Sequence, residues 1–211
     1  ASDAYVAGMI SNKAGLVHCH MGSGDRGFSL IHEALDQAEI PARVYHPTHI
    51  NRERWLYADA PTLAERGCTL DVTAFPDDGK TFLASEAIAQ WRKDGHPMDK
   101  LTCSSDGAGC LPTFDEDGRL VRMDIGRPMT VLQTIQQLLD EGEALESFLP
   151  VFTSNVARVM ALQGRGSLQV GNHADLAVID PNGRLVHLWA NGQTMVRDGG
   201  PTKHGCFETD L

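Results

Sequence analysis

LVHCHMGSGDRGFSLIHEALDQAEI, residues 16–40, changes its hydrophobic period halfway along. LVHCHM (16–21) alternates apolar and polar positions, as a strand does, whereas FSLIHEALDQAEI (28–40) spaces its apolar residues along one helical face. Between them GSGDRG (22–27) is a flexible turn; it resembles a phosphate loop only loosely, since it lacks the Lys-Ser/Thr pair. The stretch is one βα unit, and the pattern recurs. ARVYHPTHI (42–50) reads as a strand and NRERWLYADAPTLAERG (51–67) as a helix bent at Pro61 and stopped by Gly67. CTLDVTAF (68–75) is followed by a helical TFLASEAIAQWRKDG (81–95), and LTCSSDG (101–107) is a fourth strand. After a loop come two helical stretches, RPMTVLQTIQQLLDEG (127–142), with Pro128 near its first turn, and ALESFLPVFTSNVARVMAL (144–162). Four βα units in series predict an α/β fold with a parallel sheet covered by helices. Residues 166–200 differ: short β-like runs separated by Gly, Asn and Pro predict a small β segment, with the boundary near Gly164-Arg165-Gly166.

Composition narrows the functional classes. Apolar residues make up 42% of 211, enough for a sizeable core. The formal charge of -10 argues against nucleic acid or an anionic membrane as partner. No apolar run is long enough to span a bilayer, and ASDAYVAGMISNK lacks the basic start and long apolar stretch of a secretory signal. The chain opens without an initiator Met, which suggests an upstream portion. Five cysteines (Cys19, Cys68, Cys103, Cys110, Cys206) show no CxxC spacing, so a disulfide framework or a cysteine zinc site is not expected and a reducing cytoplasm fits.

The chemistry-bearing residues stand where strands end. His20 closes the first strand, His49 the second and Asp106 the fourth, and in parallel α/β folds the site is built at the C-terminal strand ends. Two imidazoles and a carboxylate suit Zn2+ or a similar divalent ion. His18 and His20 share a face that Cys19 does not, while His46 and His49, three residues apart, point differently. Each residue alone has an ordinary explanation. There are nine histidines, Asp106 could cap a turn, and Arg52 could be a solvated helix-start residue. A cation near a helix N-terminus is nonetheless disfavoured, which hints that Arg52 faces an anion. SSDG (104–107) is not a nucleophile elbow, and no base is placed to activate Cys103 or Cys110. Trp55, Trp91 and Trp189 read as packing residues.

HMG, PTHINR, TCSSDG, TSNVARVMAL and GSLQVGNHADLAVID, in that order, resemble the amidohydrolase superfamily. Within it, CHMG (19–22), PTHINR (47–52), SSDG (104–107) and the closing GCFETDL (205–211) are similar to the isoaspartyl dipeptidases. The resemblance implies the C-terminal half of a metal-dependent-hydrolase TIM barrel, strands five to eight, over residues 1–164. Residues 165–211 would form a β segment of a composite β-sandwich and a tail. It makes His20 and His49 metal ligands and Asp106 both a ligand and the catalytic proton shuttle. Arg52 would grip a substrate carboxylate, and His18 would support the site without ligating. Cys110 stands where the family has a substrate-binding serine, and a thiol is the weaker hydrogen-bond partner. The implied cofactors are two divalent ions, Zn2+ first among them. The implied reaction is cleavage of the isopeptide bond of β-aspartyl dipeptides by metal-bound hydroxide.

The family's strand-one His-x-His and strand-four bridging lysine find no counterpart here. The expectation is therefore an N-terminal half, upstream or as a companion chain, a homo-oligomeric assembly, and a cytoplasmic enzyme acting on small acidic dipeptides. Two alternatives stay open: another amidohydrolase, dihydroorotase-like or acting on N-acyl amino acids, and a non-catalytic fragment or subunit.

Overall fold

The computed structural model describes residues 1–79 and 81–205. Four short strands form the frame: β1 (Val17–His20), β2 (Tyr45–Thr48), β3 (Leu70–Thr73) and β4 (Leu101–Ser104). β1 runs parallel to β2, Val17 opposite Tyr45 and His20 opposite Thr48; β3 runs parallel to β4, Leu70 opposite Leu101 and Thr73 opposite Ser104. No regular ladder joins β2 to β3. Pro47 sits in β2 and has no N–H to give. The seam is crossed instead by Ile50 N–H donating to the Asp71 carbonyl at 3.3 Å and by the Thr48 hydroxyl donating to Asp71 Oδ2 at 2.7 Å. Among the described residues no closed barrel forms. The strands make two parallel pairs, one antiparallel hairpin and one four-stranded antiparallel sheet.

Helices cover one face of the parallel strands: α1 (Ser2–Ser11), α2 (Ser29–Gln37), α3 (Arg54–Glu65) and α4 (Ala84–Lys93), then α5 (Met129–Asp140), α6 (Leu145–Phe152) and α7 (Ser154–Val159). Alternation decides what meets them. Leu70 and Val72 on β3, with Leu101 and Cys103 on β4, join a core that holds Phe28, Leu56, Leu63, Ile88, Trp91 and Phe148. Tyr57 on α3 donates its hydroxyl to the Ala87 carbonyl of α4 at 2.7 Å and meets the Trp91 ring edge-on. The opposite face of the same strands carries Thr48, Asp71, Thr73, Thr102 and Ser104.

Several elements depart from the sequence reading, among them α1, where no helix is expected. The expected strand over 42–50 is shorter, because Ala42–Val44 is a 3-10 turn and His49 leaves the strand with φ 62°. The expected single helix over 144–162 breaks at Thr153 (φ -130°, ψ -89°), three residues after Pro150 in the last turn of α6. The region after SSDG, read as a loop, contains the hairpin β5 (Cys110–Phe114) and β6 (Leu120–Ile125), turned by Asp115, whose carboxylate accepts the Asp117 and Arg119 N–H groups. It carries Pro112 and many polar residues, which hid its strand character.

Near the C-terminus, β7 (Leu176–Ile179), β8 (Leu185–Ala190), β9 (Gln193–Arg197) and β10 (Gly200–Pro201) form the antiparallel sheet. Asn191-Gly192 joins β8 to β9 with both residues at positive φ (49° and 77°), the conformation that two-residue hairpin turns require. Gln136 of α5 donates to the Gly183 carbonyl at 3.2 Å and holds this sheet against the helices. Residues 206–211 of the closing GCFETDL motif, Cys206 included, lie outside the described residues, as does the end of the expected 165–211 segment. Cys19, Cys68, Cys103 and Cys110 are free thiols. Among the described residues no helix is long and apolar enough to cross a membrane.

Candidate functional site

His49 is where β2 turns out of the sheet. A left-handed φ is uncommon for a residue with a side chain, and its cost is met only where surroundings hold it. Here they do. The side chain is 3% exposed; Nδ1 lies 2.8 Å from the Thr73 hydroxyl of β3, and Nε2 lies 3.0 Å from Nδ1 of His20, at the end of β1. Burial and the neighbouring Arg52 charge depress the His49 pKa to about 4, against the opposing pull of Asp106 and Asp71. The ring is therefore neutral at neutral pH, with one N–H and one lone pair shared between these two contacts.

Asn51 and Arg52 follow at the β2–α3 junction. Asn51 is fully buried and works as a clamp. Its amide donates to the Thr73 and Phe82 carbonyls at 3.0 Å each, and its oxygen accepts the Thr73 N–H at 2.8 Å. The loop after β2 is thereby tied to Thr73 at the end of β3, the residue whose hydroxyl meets His49. Arg52 is exposed, its guanidinium 5.5 Å from the Phe75 ring centroid. Phe75 also tilts against His49 at 5.8 Å, so one aromatic ring contacts both. Neither Asn51 nor Phe75 was singled out from sequence. An amide next to His49 in PTHINR was the available signal for the first.

Asp106 lies beyond β4 with φ 49°, in a loop closed by Ala108 N–H to the Gly126 carbonyl (2.9 Å) and Gly126 N–H to the Gly109 carbonyl (2.8 Å). A Cβ on Gly126 would stand 2.2 Å from the Asp106 carbonyl oxygen, so only glycine permits this approach of the hairpin base. Cys110 opens β5 opposite Ile125 and is exposed.

The structure thus joins His20 to His49 and brings Arg52 and Asp106 close enough to act on His49 electrostatically. It does not gather the expected triad. Among the described residues, no three of His, Cys, Asp and Glu stand where they could jointly hold a metal ion. The two imidazoles are nonetheless suited to such an ion. A tetrahedral cation about 2.0–2.1 Å from each nitrogen sets its ligand atoms about 3.3 Å apart, close to the separation between Nε2 and Nδ1. Thr73 at the other His49 nitrogen supplies the outer hydrogen bond that ligating histidines commonly make.

Behind this pair the inner face is polar and closely bonded. Asp71 is 2% exposed and accepts hydroxyl hydrogens from Thr48 (2.7 Å), Thr102 (2.6 Å) and Ser104 (2.6 Å). His46 bridges the Thr69 and Thr102 hydroxyls at 2.8 and 3.3 Å, and burial lowers its pKa. His18 is exposed and stacks on His46 with centroids 5.2 Å apart. Sequence reading passed over Asp71, although a carboxylate inside the apolar run CTLDVTAF marked it.

No protein-family model matches the chain. Against solved structures, 98% of its length aligns with the β-aspartyl dipeptidase of thermophilic, keratin-degrading Fervidobacterium islandicum AW-1 in complex with β-Asp-Leu dipeptide. The identity is 36%, the TM-score 0.88, and 54% of that chain is covered. An amidohydrolase from Thermotoga maritima MSB8 aligns over 91% of this chain and 46% of its own, at 20% identity and TM-score 0.55. The zinc-complexed atrazine chlorohydrolase from Arthrobacter aurescens TC1 aligns over 95% and 48%, at 16% identity and TM-score 0.53. The last two likenesses concern the fold alone. The chain is similar to β-aspartyl dipeptidase throughout, spans about half the length of these enzymes, and has a mixed α/β fold that matches part of theirs.

Proposed function

We propose that this chain is the C-terminal barrel half and tail segment of a cytoplasmic metal-dependent hydrolase that cleaves the isopeptide bond of β-aspartyl dipeptides. The observation that carries the reading is the His20–His49 pair, its nitrogens 3.0 Å apart at two neighbouring strand ends, in a chain 36% identical to an enzyme solved with β-Asp-Leu. His20 Nδ1 and His49 Nε2 would hold a divalent ion, Zn2+ first among the candidates. When bound, that ion polarises the scissile carbonyl and supplies nucleophile at neutral pH. The Asp106 carboxylate takes a proton from the attacking water and passes it to the leaving amine nitrogen. Arg52, steadied over Phe75, binds a substrate carboxylate with two parallel N–H groups, which selects acidic dipeptides. Cys110, which is exposed, would line the substrate side.

Two imidazoles are too few for a catalytic ion, which takes three protein ligands. The remaining ligands, and the second ion, belong in this proposal to an N-terminal half, in the same polypeptide or as a companion chain. That half would also pair with the free edge of β1, and the completed enzyme would form homo-oligomers. The experiment is β-Asp-Leu hydrolysis by the completed protein, compared with dihydroorotate and N-acyl amino acids. Turnover of β-Asp-Leu that Asp106→Asn abolishes, with the circular dichroism spectrum unchanged, supports the proposal. Substantial activity in Asp106→Asn removes that residue from the mechanism, and preference for another substrate moves the chain to a different amidohydrolase activity. A non-catalytic subunit is the second reading, favoured by the lack of three gathered ligands among the described residues. No bound metal and no hydrolysis in the assembled protein would select it.

A further inference from the structure

We infer that the buried Asp71 is the common end point of two hydrogen-bond chains, and that it sets opposite tautomers in the two buried histidines, His46 and His49. Hydrogen counting carries the inference. A carboxylate accepts only, and each hydroxyl has a single hydrogen. At 2.7 and 2.6 Å, Thr48 and Thr102 give theirs to Asp71. The Thr102 hydroxyl also lies 3.3 Å from the Leu70 carbonyl, which can only accept and is the longer of the two contacts; towards hydroxyl and imidazole neighbours the two hydroxyls must then accept.

On one side Thr48 faces the Thr73 hydroxyl at 3.5 Å, the longest link. Thr48 has no hydrogen left for this contact, so Thr73 is the donor wherever the two bond; its oxygen then accepts at 2.8 Å from His49, and Nδ1 carries the hydrogen. On the other side Thr102 faces His46 Nε2 at 3.3 Å, so that nitrogen carries the hydrogen, and His46 Nδ1 accepts from the Thr69 hydroxyl at 2.8 Å. A neutral imidazole has one N–H and one lone pair, so each ring has one of each to place. The two chains end on different oxygens of one carboxylate, Oδ2 through Thr48 and Oδ1 through Thr102.

Asp71 is in this account a positioning residue. Acting through Thr48 and Thr73, it turns the His49 Nε2 lone pair towards His20 and the strand ends, the orientation that an incoming cation or proton needs. The inference concerns the same His49 as the proposed function but stands whether or not the protein hydrolyses dipeptides, because its readout is the metal-free tautomer.

The test is two-bond 1H–15N correlation spectroscopy of the metal-free full chain carrying 15N-histidine, near pH 7.5, with rings assigned by the signals lost in His46→Gln and His49→Gln. The wild-type spectrum is expected to show His49 protonated at Nδ1 and His46 at Nε2. Thr73→Val is expected to reverse the His49 tautomer ratio while leaving His46 unchanged, and Thr73→Ser to restore it. A purely structural role for Thr73 would move neither. His49 protonated at Nε2, the same tautomer in both rings, or a Thr73→Val spectrum with His49 unaltered would overturn the inference. If Thr73→Val does not fold, the wild-type spectrum alone decides.

Discussion

The two faces of β3 and β4 are made by alternate residues of the same short strands, yet they are held in different ways. The outer face, Leu70, Val72, Leu101 and Cys103, packs under helices in a core that centres on Trp91. It is stabilised by removing apolar surface from water, is non-directional, and tolerates any side chain of similar volume. The inner face, Asp71, Thr73, Thr102 and Ser104, is held by directed hydrogen bonds across strands. The Thr48–Asp71 bond crosses the one seam that lacks a regular backbone ladder. The outer face therefore fixes that the strands pack, while the inner face fixes how they sit relative to one another, and only the latter can place His49 to within hydrogen-bond tolerance.

The comparison can be broken from either side. The largest expected effect is on the outer face: Trp91→Ala should cost about 3–5 kcal/mol of unfolding free energy, because a fully buried indole leaves a cavity. A loss below about 1 kcal/mol in denaturant titration would show that packing around the indole is not what chiefly stabilises the outer face. Next, Asp71→Ala should cost about 3 kcal/mol, since three hydroxyls lose their acceptor and each orphaned group costs about 1–3 kcal/mol before relaxation. Near-wild-type stability in that variant would reduce the inner face to a passive surface. Gly126→Ala should cost about 1–3 kcal/mol, because the new methyl meets the Asp106 carbonyl and the loop must shift; an unchanged melting midpoint would deny the tight approach.

The smallest effect is a pH slope. The folded pKa of His46 is lowered, chiefly by burial. Below about pH 6.5 the unfolded chain binds a proton that the folded chain refuses, so stability falls as pH falls, by at most about 1.4 kcal/mol per unit for one group. His46→Gln should flatten that part of the acid limb, as followed by urea unfolding between pH 7 and pH 5. An identical slope in the variant would show that His46 titrates alike in both states.

The two faces also differ in what sequence discloses. Apolar alternation and helical spacing located β1, β3, β4 and most helices, because burial against a helix demands apolar residues at fixed intervals. The same pattern runs the second and fourth strands on to residues 50 and 107, whereas they stop at Thr48 and Ser104, so His49 and Asp106 stand just beyond the strands rather than in them. The inner network did not. Asp71, Thr73 and Asn51 look like polar interruptions in a one-dimensional reading, and their partners lie 22 to 33 residues away. The 3-10 turn at 42–44 escaped because Val44 and Tyr45 extend the apolar run of β2 without interruption. The β5–β6 hairpin escaped because it exposes Val121, Met123 and Ile125 with no helix above them, so no periodic contrast marks it.

The central claim is that the strand ends carrying His20 and His49 form part of a divalent-cation site. Crystals of the protein grown with Zn2+ and measured at the zinc absorption edge test it most directly. The account expects an anomalous difference peak between the two rings, about 2.0–2.1 Å from His20 Nδ1 and His49 Nε2, with Thr73 still bonded to the far side of His49. Zinc bound elsewhere with this position empty, while the two rings keep their direct hydrogen bond, would contradict it.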